Sequence, residues 1–179
     1  MDEALASLDD AFGGRGRLLL LAGEPGIGKS RFAEEVAARA VDRGATVLWG
    51  RCWEAGGAPA YWPWSQALRT LTQALDAGPL RALLGARAAD IAQMLPELRE
   101  AIGDVPSPPA LDPESARFRL FDATASFLSS ASSEGLLVVV LDDLQAAPAG
   151  MSSRNRLRAR ESRDRTVPIG MSSASAISA

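Results

Sequence analysis

The chain has 179 residues, a length typical of one domain, and 47% of them are hydrophobic, enough to build a core. It lacks histidine, which excludes histidine acid–base catalysis and histidine metal sites, and its single cysteine, Cys52, excludes an internal disulfide. The net charge of −3 argues against a nucleic-acid-binding surface over the whole protein. No apolar run has the length of a membrane span and no signal peptide is recognisable, so we expect a cytoplasmic protein with no membrane partner.

The first predicted elements lead into a phosphate-binding motif. Apolar residues at helical spacing predict a helix over residues 2–12, and an apolar run predicts a buried strand over residues 17–22. Residues 23–30 follow directly and read G-E-P-G-I-G-K-S, which is the P-loop pattern G-x-x-x-x-G-K-S. A helix that starts near Lys29 and continues over residues 31–41 is predicted, so the motif has the strand–loop–helix context that its function requires.

The residue types of this loop suit a bound triphosphate. Glycines let successive backbone N–H groups turn toward phosphate oxygens, and the start of the following helix adds unpaired N–H groups and a positive dipole end. We predict that Lys29 reaches the β- and γ-phosphates and acts in catalysis, and that the Ser30 hydroxyl is a ligand of Mg²⁺. Lys29 is the only lysine among 19 basic residues, which favours a specific need for an ammonium at this position. The predicted nucleotide-binding residues are Gly23, Glu24, Pro25, Gly26, Ile27, Gly28, Lys29, Ser30 and Arg31.

The middle of the chain predicts one strand and several helices. Residues 46–50 read as a second strand, reached through the preceding helix by a right-handed crossover. The segment Y-W-P-W at 61–64 opens a helix; we interpret its aromatics as packing that holds a loop onto the core, with an exposed face for adenine stacking as the alternative. Residues 79–101 predict short helices. Asp112 and Pro113 begin a further helix, whose predicted buried stripe consists of Phe118, Phe121, Ala125 and Leu128.

A second motif ends an apolar strand. Residues 136–141 are six consecutive apolar residues, which suit a strand buried on both faces of a parallel sheet, and Asp142 and Asp143 follow. Ligands of such sheets bind at the carboxyl ends of the strands. Together with an upstream P-loop, this pattern is typical of a Walker B motif. We predict that Asp142 holds Mg²⁺, directly or through water, and that Asp143 orients and polarises the attacking water as the catalytic carboxylate.

Five sequence blocks together resemble a known family. They are G-E-P-G-I-G-K-S-R at 23–31, G-R-C at 50–52, Y-W-P-W-x-x-A-L-R at 61–69, A-R-F-R-L-F-D at 116–122 and L-L-V-V-V-L-D-D-L-Q at 136–145. In this order they resemble the AAA-type ATPase module of STAND-class bacterial regulators, which is found in large LuxR-type transcriptional activators and is often described as an origin-recognition-like AAA ATPase domain. The resemblance implies an α/β fold of the P-loop NTPase class, a three-layer sandwich around a parallel sheet. It also implies binding of ATP and Mg²⁺ and a conformation that switches with the nucleotide state.

The chain departs from this pattern after residue 147. The family continues with a sensor-bearing strand, a further strand and a helical lid, whereas residues 150–179 carry six arginines and two acidic residues without a helical or strand period. We therefore interpret residues 1–149 as a partial AAA-type ATPase domain and residues 150–179 as a basic, disordered tail. A truncated or frameshifted end is favoured over an ordinary basic tail that binds nucleic acid or an acidic partner.

The departure has a consequence for the sheet. In this class the P-loop strand usually lies between two strands that come later in the sequence, and neither is recognisable here. We expect an incomplete parallel sheet of about three strands, lacking the sensor strand and the lid, in which the strand at 17–22 pairs directly with the one at 136–142. Such a sheet leaves an open edge, so self-association through it is expected.

The leading functional hypothesis is ATP binding, with weak Mg²⁺-dependent hydrolysis, as the switch module of a signal-transduction or transcriptional regulator. DNA binding would come only from domains outside this chain. Two alternatives stay open. A small-molecule P-loop kinase would need an acceptor pocket with a base and a lid, and the segment between the two motifs has room for the pocket. A non-enzymatic nucleic-acid-binding fragment would depend on the basic residues 150–179, and no helix-turn-helix module is visible.

Overall fold

A computed structural model describes residues 1–52, 59–144, 167–172 and 174–178, with the backbone alone for the last two ranges. Its elements in chain order are the helix α1 (Asp2–Phe12), the strand β1 (Arg15–Leu20), α2 (Lys29–Asp42), β2 (Thr46–Arg51), α3 (Trp62–Gln73), α4 (Ala77–Leu84), the 3-10 turn Gly85–Arg87, α5 (Ala88–Ile91), α6 (Leu98–Ile102), α7 (Pro113–Ala131), β3 (Leu137–Asp142), β4 (Val167–Ser172) and β5 (Ala174–Ser178). The helix predicted over 2–12, the short helices within 79–101 and the strands at 46–50 and 136–141 are confirmed. None of the described helices is both long and apolar enough to cross a membrane.

β1 begins two residues earlier than predicted, and α2 begins at Lys29, as expected from the sequence. β1 begins at Arg15, where Arg15 and Arg17 donate from Nε to the carboxylate of Asp10 at 3.2 and 2.7 Å. These bonds, the one from Arg15 first, hold the pKa of Asp10 below its usual range. They tie the start of β1 to the last turns of α1. α2 begins at Lys29 because Gly28, in the left-handed conformation, precedes it as the N-cap residue.

The predicted start of α7 is confirmed in detail. Asp112 is the N-cap, and its Oδ1 accepts hydrogen bonds from the backbone N–H groups of Ser115 and Glu114 at 3.0 and 3.1 Å. Hydrogen bonding, that from Ser115 foremost, lowers the pKa of the Asp112 carboxyl group. Pro113 occupies the first turn, where its missing N–H costs nothing.

The predicted buried stripe of α7 is wrong except for Leu128. Phe118 and Phe121 are 72% and 51% exposed. Arg119 instead pairs with Asp90 of α5, a carboxylate that is 5% exposed, with 2.8 Å between Nη2 and Oδ2. The buried residues of α7 are Leu120, Ala123, Thr124, Phe127 and Leu128, which also satisfy the helical period.

The aromatic segment at the start of α3 contacts other side chains, whereas residues 53–58 of the loop that it was expected to hold lie outside the described residues. Trp64 packs against the main core, and the ring of Tyr61 lies perpendicular to that of Phe121 with 5.8 Å between the centroids. The first turn of α3 also approaches β2 closely, because a Cβ added to Gly50 would lie 2.0 Å from the carbonyl oxygen of Pro63. Gly50 therefore permits α3 to dock onto the sheet.

The described sheet has five strands in the order β2-β3-β5-β1-β4. The pairs β2–β3, β3–β5 and β5–β1 are parallel, and the pair β1–β4 is antiparallel. The prediction of about three strands, with β1 paired directly to β3, is therefore wrong. β1 lies between two strands that come later in the sequence: Leu18–Leu20 pair with β5, and Arg15, Arg17 and Leu18 pair with β4. Residues 167–172 and 174–178, expected in a disordered tail, form these two strands; residues 150–166 lie outside the described residues.

Helices cover both faces of the sheet, which gives the three layers that were predicted. Alternate residues of β3 point to opposite faces. Val138 and Val140 join a core cluster with α1, α2 and Leu19, while Leu137, Val139 and Leu141 join a larger cluster with α3 to α7. All six residues of β3 are buried, as expected for the central part of a parallel sheet.

Candidate functional site

The loop between β1 and α2 connects the end of a strand to the start of a helix. Gly26 and Gly28 have φ angles of 81° and 98°, in the left-handed region that favours glycine. No atom lies within 4 Å of a Cβ added at either position, so conformation rather than crowding requires glycine there. Residues 23–28 are exposed, and α2 begins immediately afterwards. The N–H groups of its first turn, which have no partner within the helix, therefore face the same side as the loop.

Lys29 is folded back over this loop. Its ammonium Nζ donates to the backbone carbonyl oxygens of Gly23 and Glu24, both at 3.1 Å. The side chain is thereby held across the mouth of the loop and not extended into solvent. A phosphate oxygen entering the loop would find the cation already in place.

The remaining predicted loop residues surround this position. Glu24, Pro25 and Ile27 are exposed, and Ile27 is 70% exposed. Ile27 closes the turn by donating its backbone N–H to the Glu24 carbonyl oxygen at 3.3 Å. Ser30 and Arg31 lie in the first turn of α2, where Ser30 is half-buried and Arg31 is exposed.

The two acidic residues of the second motif have different environments. Asp142 is the last residue of β3 and only 3% exposed, and its Oδ1 accepts the backbone N–H of Asp143 at 2.9 Å. Asp143 is half-buried and has a φ of 56°, a left-handed conformation that aspartate tolerates better than most residues. The turn after β3 thus directs the two carboxylates differently within one residue.

The strand register places the acidic pair and the P-loop at one edge of the sheet. Ser178 of β5 lies opposite Leu20 of β1 on one side and opposite Leu141 of β3 on the other. β1 and β3 therefore end at the same level, two strand spacings or about 10 Å apart. The P-loop leaves this edge from β1, and Asp142 occupies the same edge in β3. An arrangement at opposite ends of the sheet would have excluded a shared nucleotide site.

The last residue of β2 and the residue after it are two neighbours of Asp142 to which no role was assigned from the sequence. Cys52 donates its backbone N–H to the carbonyl oxygen of Asp142 at 3.1 Å. Burial, followed by the charges of Asp143 and Asp142, raises the pKa of the Cys52 thiol. Arg51 places its Nε 3.9 Å from Oδ2 of Asp142. The block G-R-C at 50–52 was part of the family pattern, and the parallel pairing of β2 with β3 explains why it is near the site.

These residues fit a magnesium nucleotide. The hydroxyl of Ser30 and the carboxylate of Asp142 are oxygen ligands of the kind that Mg²⁺ prefers. In the described ranges, no group of three or more acidic, cysteine or histidine side chains forms a metal site by itself. In nucleotide sites Mg²⁺ takes one or two protein ligands and completes its shell with phosphate oxygens and water.

Comparison with protein families identifies the family to which this sequence is similar. The family profile described as the AAA ATPase domain matches residues 2–165, which is most of the chain and extends past the last sequence block quoted above. A search of the curated proteins finds no match to this chain.

Proposed function

The chain belongs to the AAA ATPase domain family, and from this premise we propose that residues 23–31 bind the phosphates of ATP, with Ser30 and Asp142 as the protein ligands of Mg²⁺. Family membership implies nucleotide binding and the capacity for ATP hydrolysis. The assignment of each role to a numbered residue is our proposal.

One observation carries this proposal. The Lys29 ammonium lies 3.1 Å from two carbonyl oxygens of a loop whose glycines adopt left-handed conformations at the start of a 14-residue helix. Such a loop presents N–H donors, a helix dipole and a cation to one small volume. A polyphosphate satisfies all three at once, because it brings several charged acceptor oxygens.

The roles of the other residues follow from their positions. Lys29 exchanges its two carbonyl partners for phosphate oxygens, at little conformational cost because the side chain is already in place. Bound ATP would supply the phosphoanhydride bond that is hydrolysed. Mg²⁺ would neutralise the negative charge on the phosphate oxygens. Asp143, beside Asp142 at the carboxyl end of β3, orients and polarises a water molecule for attack. A shorter aspartate in a position where many family members carry glutamate suits slow hydrolysis.

We further propose that the nucleotide state acts as a conformational switch in a STAND-class regulator. The Y-W-P-W and A-R-F-R-L-F-D blocks support this narrower assignment. Output such as DNA binding would then belong to other domains. Self-association through the sheet would use the outer strands β2 or β4. The P-loop strand β1 is not available for it, because β1 has a partner strand on each side.

Equilibrium titration with a fluorescent ATP analogue tests the binding site. We expect Lys29→Ala to weaken binding by about tenfold to a hundredfold, the range for a charge-assisted hydrogen bond. Lys29→Arg should also bind weakly, since the planar guanidinium does not fit a loop shaped for a compact ammonium. Arg39→Ala serves as the control, because Arg39 pairs with Glu35 on the same helix. Equal affinity of Lys29→Ala and the unmodified protein would remove the assignment.

A second variant tests turnover. Asp143→Asn should abolish phosphate release from ATP while leaving nucleotide affinity unchanged, because asparagine tolerates a φ of 56° but cannot polarise water as a carboxylate does. Phosphate release is measured at saturating ATP and Mg²⁺. An undiminished rate would assign the catalytic role to another residue.

A further inference from the structure

Arg51 connects the candidate metal ligand to a second carboxylate. It is the last residue of β2, and its guanidinium lies 3.9 Å from Oδ2 of Asp142 and 3.3 Å from Oε1 of Glu34 on α2. Asp142 is almost fully buried, whereas Glu34 is 57% exposed. In the described ranges, Arg51 is the only basic residue with an ion pair to Asp142. The same cation is therefore shared between a buried carboxylate at the active edge and an exposed one on α2.

Several contacts fix the position of Arg51. Gln66 of α3 accepts the backbone N–H of Arg51 at Oε1, 3.0 Å away, and donates from Nε2 to the Arg51 carbonyl oxygen at 3.4 Å. The guanidinium lies 5.3 Å from the centre of the Trp49 ring, within the range of a cation–π contact. The backbone is thus held on the outer edge of β2, while the end of the side chain can reach either carboxylate.

We propose that Arg51 is a positioning residue for the magnesium site: its guanidinium supplies the counter-charge of Asp142 when no metal is bound and moves fully to Glu34 when the metal binds. This inference rests on the proposed function, because it assumes that Asp142 holds Mg²⁺. A buried carboxylate without a compensating charge is unfavourable. Two cations beside one carboxylate repel each other, so metal binding favours the Glu34 position.

Removing the charge of Arg51 and removing the charge of Glu34 should change the effect of Mg²⁺ on nucleotide affinity in opposite directions. Arg51→Met keeps the apolar stem and removes the charge, so Mg²⁺ no longer competes with a cation for Asp142. Glu34→Gln removes the alternative partner and leaves Arg51 with Asp142, so Mg²⁺ meets stronger competition. A purely structural defect would instead weaken nucleotide binding equally with and without the metal.

The measured quantity is the ratio of the dissociation constant of a fluorescent ATP analogue in EDTA to that in saturating Mg²⁺. We expect this ratio to rise about twofold to fivefold in Arg51→Met, given what an exposed ion pair contributes. It should fall by a similar factor in Glu34→Gln and stay within about twofold of the unmodified protein in Arg51→Lys, which keeps the charge. In the double variant the ratio should equal that of Arg51→Met, because Glu34 acts only through Arg51.

A second ion pair on α2 provides matched controls. Arg39 and Glu35 are 2.9 Å apart and similarly exposed, one turn from each other on the helix, and neither forms an ion pair with Asp142. Arg39→Met and Glu35→Gln should leave the ratio unchanged. An unchanged or lower ratio in Arg51→Met, or a raised ratio in Glu34→Gln, would overturn the proposal.

Failure of the underlying function is distinguishable from failure of this inference. If Lys29→Ala binds the ATP analogue as tightly as the unmodified protein does, there is no P-loop nucleotide site and the proposed function fails. If nucleotide affinity depends on Lys29 and on Mg²⁺, but Arg51→Met and Glu34→Gln leave the ratio unchanged, only the positioning role fails. Should Arg51→Met not fold, Glu34→Gln decides the question, since its side chain is exposed.

Discussion

The two halves of the candidate site are built in different ways. The P-loop is exposed, and the hydrogen bonds of Lys29 reach only five and six residues back along the chain, to Glu24 and Gly23. Asp142 is buried, and its neighbours are Arg51, the last residue of β2, and Cys52, which follows it; both are far away in sequence. The loop is a local structure, whereas the acidic edge exists only when β2, β3 and α3 are packed together.

This difference separates two kinds of damage. Substitutions within the loop should impair nucleotide binding with a limited cost to folding. Substitutions that disturb the packing of β2 should destabilise the protein and disturb the acidic edge.

Gly50→Ala should destabilise the protein by about 2–3 kcal/mol, the cost of forcing extra volume into a packed contact. The added Cβ would lie 2.0 Å from the Pro63 carbonyl oxygen, so α3 would have to move away from β2. Urea unfolding measures the change. Gly78→Ala is the control, because no atom lies within 4 Å of its added Cβ and alanine favours the helix α4; a gain of up to about 1 kcal/mol is expected. Equal midpoints for Gly50→Ala and the unmodified protein would contradict the close approach.

Gly28→Ala should lose about 1–2 kcal/mol of stability and should also bind ATP less well, since alanine resists a φ of 98°. Gly44→Ala is a matched control: Gly44 has a φ of 86°, also in open space, but lies after α2 and away from the loop. It should show a similar loss in urea unfolding with unchanged affinity for a fluorescent ATP analogue. A comparable loss of affinity in both variants would show that strain acts on the whole protein and not locally.

Asp143→Gly should be more stable than Asp143→Ala by about 1 kcal/mol, because glycine accepts a φ of 56° without strain. Both variants lack the carboxylate, so their difference reports the backbone alone. At Asp42, in the last turn of α2, the order should be reversed, with alanine the more stable. Thermal or urea unfolding of the four variants is sufficient. The same order at both positions would argue against a strained turn after β3.

The smallest expected effect concerns the reactivity of Cys52. Because burial and the nearby carboxylates raise the pKa of its thiol, the thiolate fraction at neutral pH is lower than for a free cysteine. Alkylation should be slow, and its rate should rise only at a higher pH than for a free thiol. Asp143→Asn removes one of the two charges and should shift this profile partly back. A profile that matches a free thiol would place Cys52 away from the acidic edge.

Much of the site could be predicted because its signals are local. The spacing of Gly23, Gly26 and Gly28 before Lys29 and Ser30 determines a loop at a helix start, and the backbone preferences involved act over a few residues. The apolar run before Asp142 likewise indicates a buried strand that ends at a carboxylate. The start of α7 is determined by two adjacent residues, Asp112 as the N-cap and Pro113 in the first turn.

Other features required the tertiary structure. The helical period of α7 is compatible with two buried stripes, one with Phe118 and Phe121 and one with Leu120 and Phe127. The second is the one that is buried, and the ion pair between Arg119 and Asp90 forms in that orientation. The order of strands was also open, because any strand with free backbone groups can occupy the space beside β1.

The sequence by itself thus determined a P-loop, a Walker B strand and the helices that cover the sheet. Only the tertiary structure decided which strands flank β1, which face of α7 is buried, and that Arg51 at the end of β2 and Cys52 after it are neighbours of Asp142. The reason is physical: backbone conformation and capping depend on adjacent residues, whereas pairing and burial depend on segments that the chain brings together from distant positions.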